Sequence, residues 1–340
     1  MQLKPIKEQV VAIMGASSGI GRAAALEFAK RGAKVVVSAR NESGLESLVD
    51  EIQFLGGEAT AIPADVADFQ QVKAIADRTV ERYGRLDTWV HTAATGVLAL
   101  FDQITPEEFQ RVIDVNLMGQ VHGAMAALPH LKREGRGALI HISSMEGVRS
   151  LPLQSPYCAA KHGIEGFLES LRVELQHEGL PISVTSIKPA VINTPYYNKV
   201  RTKLGVKPTG IPPYYDPRLV AEAILYVAEN PTRDYIVGDV GRLLDLLQRL
   251  SPELVDSILL LIGFQGQRTN QPKSEDAPDN VFTPIQGYNQ IDGDFDKWVV
   301  PSISDRIAMN PLLKWGAIAL PALGAAALLA TTIFGNDNRT

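Results

Sequence analysis

Val10-Val11-Ala12-Ile13-Met14-Gly15-Ala16-Ser17-Ser18-Gly19-Ile20-Gly21 decides the fold. Five apolar residues, three of them β-branched, read as a buried strand. The glycine-rich turn directly after them opens a segment of helical period. Inside the turn, Gly19-x-Gly21-x-x-Ala24 fits a dinucleotide fingerprint. Small residues there let the backbone turn sharply and meet a pyrophosphate at the positive end of a helix. The candidate residues for that task are Gly15, Ser17, Ser18, Gly19, Ile20 and Gly21. Glycine-rich turns also serve as plain punctuation; the strand–turn–helix context carries the nucleotide reading.

Outward from this turn the pattern repeats. Strands are expected at Val10–Met14, Lys34–Ser38, Ala59–Pro63, Thr88–His91, Ala138–Ser143, Ser183–Ile187 and Tyr235–Val237. Helices are expected near 20–31, 43–55, 69–83, 106–133, 156–178 and 217–229. Alternation of this kind predicts an α/β fold, a doubly wound, Rossmann-like parallel sheet with helices on both faces. Runs such as Val35-Val36-Val37 are apolar throughout, as strands covered on both faces should be. After about residue 240 the character changes to a Leu-rich helical segment at 242–264, broken at Ser251-Pro252. It carries Asp245, Arg249, Glu253 and Asp256 and reads as amphipathic packing, near a membrane or the substrate entrance. The chain is therefore divided into a catalytic domain at 1–265, a polar linker or wrap at 266–311 and an apolar segment at 312–340. The last two form a helical or irregular C-terminal extension.

With 45% apolar and 21% charged residues among 340, the chain is neither disordered nor a disulfide scaffold. One cysteine, Cys158, cannot form an internal bridge, so nothing requires an oxidising compartment. A net charge of −5, with scattered Lys and Arg, argues against nucleic acid as a partner. The six histidines (91, 122, 130, 141, 162, 177) lack partners at ligand spacing, so no metal is expected. The apolar run Val10–Met14 is too short for a signal-peptide core.

Two further features bear on chemistry. Beyond the second strand, where a carboxylate would grip a ribose hydroxyl, Arg40 stands instead. A guanidinium suits the 2′-phosphate of NADP(H), with Ser17 and Ser38 as helpers; the alternative is an exposed Arg at a strand end. Tyr157 and Lys161 are four apart at the start of a helical segment, hence on one face. An ammonium beside a phenol favours the phenolate and improves the Tyr as an acid/base, although such pairs more often only pack.

With these motifs in order, the chain resembles the short-chain dehydrogenase/reductase family over roughly residues 8–240. Gly15–Gly21 looks like the family's cofactor turn, with Met14 where Thr is common. Val115-Asn116-Leu117-Met118-Gly119 resembles the motif of its active-site Asn, and Ile142-Ser143-Ser144 that of its catalytic Ser. Tyr157 and Lys161 complete the tetrad. The resemblance implies hydride transfer between a nicotinamide and a carbonyl or secondary alcohol carbon. Tyr157 would exchange the proton, Ser144 steady the oxygen, Lys161 lower the Tyr pKa and contact the ribose, and Asn116 hold a water linking Lys161 to solvent. Asp65 and Val66 match the pair beside the adenine, Ala93 the cofactor path, and Ile192 and Thr194 the positions holding the carboxamide. Asp65 reads nearly as well as a helix cap. The family's Asn-Asn-Ala-Gly reads His91-Thr92-Ala93-Ala94 here, which puts the local geometry in doubt, and His91 is expected as a hydrogen-bonded replacement for Asn. Its Pro-Gly after the sixth strand reads Pro189-Ala190.

Residues 193–217, with Tyr196, Tyr197, Tyr214, Tyr215 and five prolines, read as a substrate lid favouring an apolar or ring-bearing small molecule; equally, the tyrosines could pack the loop. Trp315–Phe334 is 20 residues without a charge and reads as a membrane-attaching helix, an interface helix or a disordered tail. If it spans, Lys297, Arg306 and Lys314 keep the catalytic domain cytoplasmic. A homo-oligomer is expected by family analogy. The expected activity is that of an NADP-dependent oxidoreductase. The alternatives are a cofactor-binding scaffold with weak turnover and an NAD-dependent alcohol dehydrogenase.

Overall fold

The computed structural model describes residues 1–309. Residues Met1–Pro301 form one compact unit; Ser302–Met309 begin a second and hold the short helix α11 (Ile303–Met309). The Trp315–Phe334 expectation lies outside the described residues.

Seven parallel strands make the central sheet: β1 (Val10–Met14), β2 (Lys34–Ser38), β3 (Glu58–Ala61), β4 (Thr88–His91), β5 (Gly137–Ile142), β6 (Ile182–Pro189) and β7 (Asp234–Val237). Their spatial order is β7-β6-β5-β4-β1-β2-β3. Every residue of β1, β4, β5 and β6 is buried, which explains the continuous apolar runs. The order reverses between β1 and β4, so their carboxyl ends open a crevice at the switch point of the sheet. In register, Met14 lies beside Ser38 on one side and His91 on the other.

The covering helices are α1 (Gly19–Lys30), α2 (Glu42–Phe54), α3 (Phe69–Tyr83), α4 (Pro106–Ile113), α5 (Gly119–Glu134), α6 (Ser155–His177) and α8 (Pro217–Glu229), with a one-turn α7 (Tyr196–Lys199) in the lid region. Side-chain caps fix their starts: the Asn41 carbonyl accepts from Gly44, Asp68 accepts from Gln70 and Gln71, and Asp216 accepts from Arg218. Asp65 is thus not the cap of α3. It accepts from the Ala67 amide and pairs with Arg111.

The expected single helix over 106–133 divides. A π-turn, Asp114–Met118, separates α4 from α5, and no Gly or Pro marks it. Its centre, Asn116, is fully buried, and both ends of its amide bond the Thr95 backbone at 2.8 Å. That tertiary pin accounts for the widened turn, a feature often found near functional sites. The Leu-rich region forms α9 (Asp239–Leu250) and α10 (Pro252–Ile262), with Ser251 capping the second.

Candidate active site

The switch-point crevice is a cavity of about 470 Å³ that runs from the phosphate turn to the C-terminal helices. Gly15, Ser17, Ser18, Gly19, Ile20 and Gly21 all line it. Two of these positions demand glycine. Gly15 has φ +83°, and a Cβ there would stand 2.6 Å from the Ala93 nitrogen; a Cβ on Gly21 would stand 2.4 Å from the Gly15 carbonyl oxygen. Arg40, Asp65, Val66, Ala93, Ile192 and Thr194 line the same cavity, as do Ser144, Tyr157 and Lys161. A dinucleotide fits these residues: small backbone at one end, hydroxyls and an ammonium at the other.

At the chemical end, α6 presents Tyr157 and Lys161 on one face, as four-residue spacing requires. The Lys161 Nζ lies 5.2 Å from the centre of the Tyr157 ring and donates to the Ile142 carbonyl at 2.7 Å. Burial lowers the Lys161 ammonium to about 8, opposed by the charges of Glu146 and Glu165. Burial, then Glu146, pushes the Tyr157 hydroxyl up, and a hydrogen bond with Ser144 pulls it down. The downward pull expected from Lys161 is therefore not the governing effect. Glu146, which no motif singled out, lines the cavity; burial raises its carboxyl to about 7, opposed by the Cys158 hydrogen bond, Lys161 and Gln154. The Cys158 thiol donates to it at 3.2 Å, and its own amide donates to the Ser144 hydroxyl at 3.0 Å.

Two expectations, those for His91 and Ser38, are corrected here. Asn116 lies outside the cavity lining, with its side chain bonded to the Thr95 backbone. His91 makes no hydrogen bond through either ring nitrogen, so it replaces Asn by filling space: its ring stacks on His141 at 6.5 Å between centres. Burial keeps both imidazoles neutral, His141 lowered to about 3. Ser38 is fully buried, its hydroxyl has no hydrogen-bond partner and it does not line the cavity, so it offers no help to a 2′-phosphate. Arg40 does line the cavity, but its guanidinium already donates to the carbonyls of Asn280, Val281 and Phe282. Those carbonyls belong to the polar stretch after Gln265, which folds back along the groove.

Residues 9–205 match the model of the short-chain dehydrogenases. The chain belongs to the short-chain dehydrogenase/reductase family. It is 40% identical over 276 residues to the uncharacterized oxidoreductase YxnA of Bacillus subtilis, covering 81% of this chain and 78% of that protein. It is 32% identical over 240 residues to the 3-oxoacyl-[acyl-carrier-protein] reductase FabG of Thermotoga maritima, covering 69% of this chain and 96% of that protein. Among solved structures, an alcohol dehydrogenase from Thermococcus sibiricus, complexed with 5-hydroxy-NADP, superposes with a TM-score of 0.59 at 27% identity, covering 67% of this chain and 94% of that one. Membership makes the chain an oxidoreductase of a family that binds a nicotinamide cofactor and acts on small molecules.

Beyond Ser144, Tyr157 and Lys161, the cavity of this short-chain dehydrogenase/reductase has an apolar wall. Tyr196 and Tyr197 line the cavity, with the Tyr157 and Tyr196 rings 5.9 Å apart, whereas Tyr214 and Tyr215 are buried in packing. Tyr197 is also buried, its ring against those of Tyr196, Tyr214 and Phe295. Leu243, Leu244 and Leu247 of α9 and Val255, Ile258 and Leu259 of α10 complete the wall. Among the described residues no helix is long and apolar enough to cross a membrane, and no group of three His, Cys, Asp or Glu could hold a metal ion.

Proposed function

We propose that the protein is an NADP(H)-dependent oxidoreductase that interconverts a carbonyl and a secondary alcohol on an apolar small molecule. The observation that carries this is one continuous cavity, with the phosphate turn at one end, Ser144, Tyr157 and Lys161 in the middle and the leucines of α9 and α10 beyond. Ile192 and Thr194 would hold a nicotinamide, which would supply the hydride donor or acceptor. Tyr157 gives its hydroxyl proton to the substrate oxygen in reduction and takes it back in oxidation. Ser144, bonded to the Tyr157 hydroxyl, holds that oxygen and steadies its developing charge. Lys161, fixed by the Ile142 carbonyl beside the Tyr157 ring, is the positive group available to the returning proton's path and to a ribose hydroxyl. The side chains of α9, α10 and Tyr196 exclude water from that step.

The preference for NADP rests on Arg40, which lines the cavity beyond the second strand; its bonds to the Asn280, Val281 and Phe282 carbonyls support the NAD-dependent alternative. The T. sibiricus enzyme carries an NADP derivative and the T. maritima relative is named as a reductase, both consistent with the NADP reading. Membrane attachment through Trp315–Phe334 and assembly with further copies of the chain rest on sequence alone. The test is turnover of NADPH with apolar ketones and aldehydes by the full chain and by Tyr157→Phe; the scaffold alternative gains if nucleotide binds and neither protein turns over.

A further inference from the structure

The outer side of the groove holds one more charge. Lys199 ends α7, lines the cavity and is only 9% exposed. Its Nζ donates to the Ser18 hydroxyl at 2.8 Å, inside the phosphate turn. Burial alone lowers the ammonium to about 8, and among the described residues no carboxylate pairs with it. A buried cation with no counter-charge is costly, and this one faces a turn built to receive an anion.

The strap, residues 279–293, holds Lys199 in place. The Asn280 amide donates to the Lys199 carbonyl at 2.8 Å, and Asp279 pairs with Arg201 at 2.7 Å. Lys273, just upstream, donates to the carbonyls of Asn198 and Val200 at 3.1 and 2.9 Å. Further along, the Gln290 carbonyl accepts from the Gly19 amide at 3.1 Å, and Arg218 grips Asp292 with two bonds of 2.7 and 2.8 Å. Asn280, Pro284 and Ile285 line the cavity, so the strap forms part of the groove's wall.

We infer that Lys199, positioned by this strap, is the counter-charge for the pyrophosphate of a bound dinucleotide, acting beside Ser18 at the start of α1. The inference rests on the groove being the cofactor site proposed above. Pyrophosphate is common to NADPH and NADH, whereas a 2′-phosphate is not. Lys199 therefore supports both nucleotides alike, and Arg40 at the adenosine end discriminates between them.

The experiment uses the full chain and its Lys199→Met and Lys199→Arg variants, titrated with NADPH and with NADH by nicotinamide fluorescence, with melting of the nucleotide-free proteins alongside. The expected result is that Lys199→Met binds both nucleotides about 10- to 100-fold more weakly, by similar factors, and that Lys199→Arg recovers most of the loss. The nucleotide-free Lys199→Met melts no lower than the parent, because an uncompensated charge has been removed. Unchanged affinity for both nucleotides overturns the inference, as does weakening confined to NADPH, which would assign Lys199 to the 2′-phosphate. A Lys199→Met variant that melts lower or fails to fold overturns it too, by showing that the ammonium serves the fold. Failure of the parent chain to bind either nucleotide overturns the cofactor proposal itself, a different outcome.

Discussion

Tyr157 and Lys161 were readable because a helix turns every 3.6 residues: four-residue spacing puts two side chains on one face whatever surrounds them. Glu146 was not readable, since nothing in Ser143-Ser144-Met145-Glu146 states that the carboxylate will be enclosed. Its carboxyl is raised from 4.5 to about 7 by burial. A carboxyl raised on folding contributes stability that is complete below pH 4.5 and is lost as pH rises through about 7. Glu146→Gln removes that loss. At pH 8 the variant should be more stable than the parent by about 3 kcal/mol, and at about pH 4 nearly equal to it, by denaturant melts at the two pH values. His91 is a case where the residue type misled. Its ring can donate and accept, yet it sits in a slot where neither nitrogen finds a partner. Close packing against Gly123, whose Cβ would stand 2.8 Å from His91 Nδ1, shows what the slot selects for.

Among the elements, strand existence was legible because parallel strands covered on both faces are largely apolar; Val10–Met14, Lys34–Ser38 and Thr88–His91 have the expected bounds. The division of α4 from α5 was not legible, because Val112 through Leu117 keep helical period across the π-turn. The cause is tertiary: Asn116 reaches Thr95, distant in sequence, and satisfies both its amide and its carbonyl. Asn116→Ala leaves two buried backbone groups unpaired, at about 1–3 kcal/mol each. It should lower stability by about 2–4 kcal/mol while changing nucleotide affinity far less, since the side chain does not line the cavity. Thermal melts and nucleotide titration of the same preparation separate the two effects.

At the scale of the whole molecule, sequence periodicity cannot show which distant segments meet. The Asn-, Gly- and Asp-rich stretch after Gln265 reads as a linker or a wrap, but with no helical or strand period nothing in it shows that it meets the groove; the strap grips Arg40 through backbone carbonyls, which any residue carries. Lys199 was hidden for the same reason, since its partner Ser18 lies 181 residues away. The amphipathic character of α9 and α10 was visible, and their apolar faces form the far wall of the cavity. That wall predicts a preference for apolar substrates. Leu247→Ala should raise KM for an apolar ketone about tenfold and leave NADPH affinity unchanged, because about two buried methylene equivalents leave the substrate's surroundings. A steady-state comparison across ketones of increasing chain length checks it, the loss growing with chain length.

The most direct test of the central claim is NADPH oxidation by the full chain and by Tyr157→Phe with a saturating apolar ketone, together with nucleotide titration of both. The predicted result is turnover by the parent, a loss of about 10³-fold or more in kcat for the variant, and NADPH affinities within about threefold of each other. A variant that retains a substantial fraction of the parent's kcat while binding NADPH normally would contradict the assignment of Tyr157 as the acid/base.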